Sequence, residues 1–136
     1  MPGYSGTPLP KKLGIKDGFR VRFLDAPVEV RKELEAAVAS CEIAEDGKKP
    51  LDFAIMFTAS REQLSTEFAR LSKQLAPAGM LWISWPKKSS GVATDLNDNV
   101  VREIGLRAGL VDVKVCAVTE VWSGLKFVRR VQDRKN

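Results

Sequence analysis

The residues best suited to binding a ligand form one short run, Lys87-Lys88-Ser89-Ser90-Gly91. The run directly follows a predicted strand, and in open α/β sheets ligands collect outside the carboxyl ends of the strands. Two ammonium groups, two hydroxyls and a conformationally permissive glycine suit a phosphate or carboxylate group. The run lacks the G-x-x-x-x-G-K-[ST] pattern of a Walker A loop. An ordinary solvated loop is therefore the simpler interpretation, and binding of an anionic small molecule is the alternative.

Three more polar side chains are predicted at the carboxyl ends of strands. Asp25 ends the first predicted strand, and Thr58 and Ser60 follow a later one, so all three would face the same edge of the sheet as Lys87. A helix cap or a turn explains Asp25 and Ser60 more simply. Trp85 precedes the two lysines and could stack on the ring of a ligand, with core packing as the alternative. Asp25 and Trp85 therefore join the run 87–91 as candidate ligand-binding residues.

The composition excludes several classes of chemistry. The chain has no histidine and two cysteines, Cys41 and Cys116, so Cys/His zinc sites, Ser-His-Asp triads and Cys-His pairs cannot form. No catalytic residue, cofactor or metal site is predicted. The cysteines form no C-x-x-C pair, the start of the chain shows no signal pattern, and the apolar stretches are too short to span a membrane. These features predict a cytoplasmic protein without a membrane partner.

The charge balance raises the possibility of a nucleic-acid partner. Lys and Arg total 22 against 17 Asp and Glu, a net charge of +5, and the isoelectric point is near 9.4. Much of the excess lies between Lys126 and Asn136, where five basic residues accompany only Asp133. Tails of this kind are usually solvated. Nucleic-acid association through the basic C-terminus is therefore kept as an alternative and is not the favoured prediction.

Hydrophobic periodicity predicts a single α/β domain. The arm 1–16 is expected to be extended because of its prolines and glycines, the domain covers 17–131, and a basic tail covers 132–136. The predicted strands are Arg20 to Leu24, a short one near Cys41 to Ala44, Leu51 to Phe57, Met80 to Trp85, Val111 to Val118 and Gly124 to Val131. The predicted helices start at Pro27, Ser60 and Asn97. Alternating strands and helices require a mostly parallel, Rossmann-like sheet with helices on both faces, which the C-terminal hairpin extends with antiparallel pairing.

Two local phrases resemble the S-adenosylmethionine-dependent methyltransferases. They are Leu75-Ala-Pro-Ala-Gly-Met-Leu-Trp-Ile83, similar to the entry into that family's fifth strand, and Gly109-Leu-Val-Asp-Val-Lys-Val115, similar to the entry into its sixth. More specifically, the chain resembles a small uncharacterised bacterial family, a domain of unknown function. The segments that carry this resemblance are Tyr4 to Lys16, Trp85 to Gly91, Val113 to Ala117 and Trp122 to Lys126. The resemblance implies a truncated methyltransferase-like fold, in which the Gly124 strand lies between the Met80 and Val111 strands.

The resemblance fails at the turn that would hold the methyltransferase cofactor. That turn follows the first strand and has a G-x-G pattern, because only glycine lets the backbone approach the ligand closely. Here no glycine occurs between Gly18 and Gly47. Pro27 and Val28 add bulk, and Glu29 places a carboxylate in the first helical turn, where an anion would otherwise bind.

These observations favour a protein that is not an enzyme. The first hypothesis is a non-catalytic, methyltransferase-like binding or regulatory module. The alternatives are a small enzyme, a methyltransferase or another, with an anionic ligand at the carboxyl edge of the sheet, and a nucleic-acid-associated protein. The sequence does not identify a protein partner.

Overall fold

Six strands form one sheet in residues 7–44 and 48–134, the parts of the chain that the computed structural model describes. The strands are β1 (Arg20–Leu24), β2 (Glu42–Ile43), β3 (Leu51–Phe57), β4 (Leu75–Pro86), β5 (Leu110–Ala117) and β6 (Trp122–Arg129). The helices are α1 (Leu9–Leu13), α2 (Val28–Val38), α3 (Arg61–Gln74) and α4 (Asp98–Arg107), with single 3-10 turns at Lys88–Ser90 and Val131–Asp133. None of the described helices has the length and apolarity needed to cross a membrane.

The sheet order is β2-β1-β3-β4-β6-β5, which confirms the predicted arrangement. The first four strands of this order pair in parallel, and β6 runs antiparallel to both β4 and β5. Strand β3 is central and apolar, with six of its seven residues buried, as its unbroken hydrophobic sequence predicts. Strand β4 begins five residues before the predicted start at Met80, because Leu75 already pairs with Leu51 of β3.

Two hydrophobic cores cover the two faces of the sheet. One lies under α3 and α4 and includes Phe68, Trp85 and Phe127. The other lies under α1 and α2 and includes Leu13 and Trp82. Helices on both faces are what right-handed parallel crossovers require.

Helix α1 contradicts the predicted extended arm over part of its length. Pro10 occupies the first turn, where proline is tolerated because its missing N–H would have no helical partner. Gly14, with φ 87°, ends the helix in the left-handed region. Leu13 is fully buried, and its carbonyl accepts a hydrogen bond from Trp82 Nε1 at 2.9 Å. Residues 9–13 therefore form a helix docked on the core, whereas the beginning of the predicted arm, 1–6, and the end of the tail, 135–136, lie outside the described residues.

Candidate functional site

The strand order places a crevice between the carboxyl ends of β1 and β3. The chain leaves β1 towards β2 on one side and leaves β3 towards β4 on the other, and ligands of open α/β sheets bind at such a switch point. Asp25 and Thr58 follow these two strands. Gln63 Nε2 donates to Asp25 Oδ2 at 3.4 Å, and Thr58 Oγ1 donates to Gln63 Oε1 at 2.6 Å. The side chain of Gln63 therefore bridges the crevice.

The turn after β1 keeps a sharp backbone bend without glycine. Asp25 has φ 58°, in the left-handed region that favours glycine, and is the single described non-glycine residue with positive φ. Pro27 precedes α2 as its N-cap and provides no side-chain hydrogen bond, while Glu29 lies in the first turn. A carboxylate at this position makes the helix N-terminus less favourable for an anion.

A second crevice lies beyond the end of β4, next to the start of α4. We call it the Lys87 cleft; its volume is about 750 Å³. Of the sequence-predicted candidates, Trp85, Lys87, Lys88 and Gly91 line it. Apolar lining comes from Leu96 and Val115 as well as Trp85, and polar lining from Thr94, Asn97, Asp98 and Ser123. The structure therefore brings four of the seven candidate residues to one cleft.

The loop 87–91 has a defined conformation. Residues Lys88–Ser90 form one 3-10 turn, and Gly91, with φ 77°, follows it in the left-handed region. Ser90 Oγ donates to the Lys87 carbonyl at 2.6 Å and accepts from Val92 N at 3.2 Å, so this hydroxyl holds the loop together. Within residues 7–44 and 48–134, the ammonium groups of Lys87 and Lys88 have neither a hydrogen bond nor an ion pair.

Three candidates do not belong to the lining of the cleft. Ser89 is exposed and Ser90 is used within the loop. Asp25 lies at the β1–β3 crevice, where it bonds to Gln63, and does not line the Lys87 cleft. Trp85 lines the cleft but is only 4% exposed, because it packs in the core under α3 and α4.

Two residues that were not predicted from the sequence, Thr94 and Asp95, connect the loop before α4 to residues 59–61. Thr94 Oγ1 donates to the Ala59 carbonyl at 2.7 Å, and Asp95 Oδ1 accepts from Arg61 N at 2.8 Å. The side chain of Asn97 caps α4 by accepting from Val100 N. The Asn97 cap follows from the helix start at that residue, whereas the two contacts to the 59–61 segment have no local sequence signal.

The face of β5 and β6 on the side of α1 carries a group of lysines around Cys116. Lys12 Nζ donates to the Ala117 carbonyl at 2.9 Å, and Lys114 Nζ donates to the Lys12 carbonyl at 3.0 Å. Burial raises the pKa of the Cys116 thiol, against the opposing effect of the nearby lysines. Burial, followed by the charge of Lys114, lowers the pKa of Lys126.

Within the described ranges, no group of three potential Cys, Asp or Glu ligands could hold a metal ion.

The sheet order and the antiparallel C-terminal hairpin define a Rossmann-like fold of the methyltransferase type. Residues 11–131 match the family described as "Protein of unknown function (DUF3052)", and the chain belongs to that family. This confirms the resemblance to a domain family of unknown function. No curated protein matches the sequence.

Solved structures with the same fold include several methyltransferases. Magnesium protoporphyrin IX methyltransferase from Synechocystis PCC 6803 with bound SAH is 14% identical, with a TM-score of 0.59 over 89% of this chain and 78% of that one. A SAM-dependent methyltransferase from Aquifex aeolicus is 17% identical, with a TM-score of 0.54 over 86% and 85%. Aeropyrum pernix fibrillarin, with natively bound S-adenosyl-L-methionine, is 15% identical, with a TM-score of 0.53 over 88% and 73%. At these identities the similarity shows the fold alone.

Proposed function

We propose that this protein is a non-catalytic binding module with a methyltransferase-like fold, and that it binds an anionic small molecule in the Lys87 cleft. The observation that carries the first part is the turn after β1. Asp25 occupies its left-handed position, Pro27 follows, and Gln63 bridges the crevice to Asp25. An adenosyl cofactor needs close backbone approach at such a turn, and the chain has no glycine between Gly18 and Gly47 to allow it.

The lining of the Lys87 cleft supports an anionic ligand with an apolar body. Lys87 and Lys88 provide two charges against one from Asp98, whose Oδ1 already accepts from Asn99 N at 2.9 Å. Trp85, Leu96 and Val115 provide apolar lining, and Thr94, Asn97 and Ser123 provide uncharged polar lining. The volume of about 750 Å³ lies in the range of small-molecule sites. A phosphate or carboxylate at the lysines, with its carbon skeleton towards Trp85, fits this distribution of charge.

Titration calorimetry tests whether the protein binds the methyltransferase cofactor. We expect no heat of binding from S-adenosylmethionine or S-adenosylhomocysteine. Micromolar binding of either compound would contradict the non-catalytic proposal and favour the enzyme alternative. The measurement needs no knowledge of the true ligand.

A thermal-shift screen of organic phosphates and carboxylates tests the second part, with the double variant Lys87→Ala/Lys88→Ala. We expect a stabilising compound whose affinity falls well over tenfold in the variant, because two charge-assisted contacts are worth about 1.5–3 kcal/mol each. The free energy of unfolding should change by less than about 0.5 kcal/mol, since these charges lie in a loop. Lys49→Ala/Lys73→Ala makes the same charge change elsewhere and should keep full affinity. Equal affinity in wild type and the Lys87 variant would remove the loop from the site.

A further inference from the structure

A second positively charged cleft lies at the opposite, amino edge of the sheet. It has a volume of about 510 Å³, and four of its seven lining residues are cationic: Lys48, Lys49, Arg70 and Lys73. The first two precede β3, and the other two lie in the last turns of α3. A cation at a helix C-terminus is favoured by the helix dipole, which accounts for Lys73 alone.

Two described carboxylates near this cleft in the chain, Glu67 and Asp52, are already engaged. Arg70 pairs with Glu67 at 3.2 Å. Asp52 accepts from the backbone N–H of Arg20, whose side chain pairs with Glu42 at 3.1 Å. Within the described parts of the chain, Lys49 and Lys73 have neither an ion pair nor a hydrogen bond. Their charges are therefore available to an external anion.

The C-terminal segment adds cations to the same edge. Arg129 Nη2 donates to the Ser72 and Leu75 carbonyls at 2.9 and 2.7 Å, so its guanidinium is fixed at the corner between α3 and β4. Leu75 itself lines the cleft. The turn at 131–133 then folds the chain back, and Arg134 Nε donates to the Arg129 carbonyl at 3.0 Å. We call the cations of 48–49, 70–73 and 129–134 together the amino-edge basic surface.

We infer that the amino-edge basic surface binds the phosphate backbone of a nucleic acid. Its cations come from three separate segments of the chain, a spread that suits an extended polyanion better than a compact one. The cleft lining contains no aromatic residue on which a base could stack. Contacts limited to phosphates bind without sequence preference and depend strongly on salt. This places nucleic-acid binding at a surface assembled by the fold, with the basic C-terminus as one part of it.

Fluorescence anisotropy with labelled duplex and single-stranded oligonucleotides of about 20 nucleotides tests the inference on the full chain. Wild type should bind with an affinity that falls linearly in log[salt] and does not depend on base sequence. For duplex DNA, Lys49→Ala/Lys73→Ala should reduce the magnitude of that slope by about 1.8, or about 0.9 per lost phosphate contact. The ratio of wild-type to variant affinity should therefore shrink roughly 12-fold between about 50 and 200 mM salt.

Lys11→Ala/Lys32→Ala is the matched control, because it removes the same charge from exposed residues of α1 and α2 that line neither the Lys87 cleft nor the amino-edge cleft. The control variant should keep the wild-type dependence of affinity on salt. An equal loss of affinity in both variants would show that binding depends on net charge alone and would overturn the inference. Absence of binding to either oligonucleotide at about 50 mM salt would also overturn it. Poly-glutamate that competes as well as an oligonucleotide would assign the surface to an acidic protein instead. The altered side chains of Lys49 and Lys73 are exposed, and an unchanged melting temperature would show that the variant folds.

Discussion

Replacing Gly105 by alanine tests how closely α4 packs on the sheet. Gly105 is a buried residue of α4 and faces Phe127 of β6. A Cβ atom at this position would lie 2.5 Å from Cζ and 2.6 Å from Cδ1 of Phe127. Carbon atoms in contact are normally about 3.5–4.0 Å apart. Cε1 of Phe127 would lie closer still, so either the ring or the helix must move by more than about 1 Å.

Neither movement is easy, and this sets the expected magnitude. Phe127 is fully buried and stacks edge-to-face on Phe68 with ring centroids 5.2 Å apart. Overpacking of such a core typically costs about 1–3 kcal/mol, and the size of this overlap favours the upper end. Alanine regains about 1 kcal/mol of helix propensity over glycine. Gly105→Ala should therefore lower the free energy of unfolding by about 2 kcal/mol, which corresponds to a fall of roughly 6–12 °C in melting temperature.

The contact is measured by urea denaturation of Gly105→Ala in two backgrounds, the wild-type protein and the Phe127→Leu variant. If the clash with the ring is the cause, Gly105→Ala should cost much less in that background, with a coupling energy above about 1 kcal/mol. The slope of the denaturation curve should stay unchanged. A Gly105→Ala protein as stable as wild type, or more stable by the helix propensity alone, would refute the packing argument.

Three further predictions concern single side chains. Trp82→Phe removes the hydrogen bond to the Leu13 carbonyl and leaves a buried acceptor unpaired, so urea denaturation should show a loss of about 1–3 kcal/mol; an unchanged value would contradict the anchoring of α1. Burial raises the pKa of Cys116, so its alkylation by iodoacetamide should accelerate at higher pH than that of a solvated thiol. Lys114→Ala removes a charge that lowers this pKa and should move the profile further up, and a downward shift would disprove the assignment. Burial lowers the pKa of Lys126, so the folded state disfavours its charged form, and this cost disappears as pH rises through the lowered pKa towards the unfolded value. Lys126→Met should therefore stabilise the protein at about pH 7 by more than at about pH 10.5, and a gain independent of pH would argue against charge burial.

The strands and helices follow closely from local sequence. The apolar run of β3 and the cap of α3 by Ser60, which accepts from Gln63 N at 3.1 Å, both have the predicted form. The strand order is also as predicted. The early start of β4 was not predicted, because it depends on pairing between Leu75 and Leu51, which are far apart in sequence. Helix α1 was not predicted because prolines usually interrupt helices. Its contact with Trp82 joins residues 69 positions apart, which local sequence does not indicate.

Parts of the candidate sites can be predicted where their residues are contiguous. Trp85, Lys87, Lys88 and Gly91 share one strand end, and their place in one cleft follows from chain continuity. The separation of Asp25 from that cleft cannot be predicted in this way. The side chain that contacts Asp25 is Gln63 of α3, which lies 38 positions away in the sequence.

By itself, the sequence determined most of the secondary structure, apart from α1 and the start of β4, together with the parallel sheet, its antiparallel ending and the absence of a glycine turn. These depend on periodicity and residue type within a few positions of the chain. Only the tertiary structure decided which charges become neighbours. Lys49, Lys73 and Arg129 are brought to one edge by strand pairing and by hydrogen bonds to the α3–β4 corner. Electrostatic interaction depends on distance in space, and a sequence records distance only along the chain.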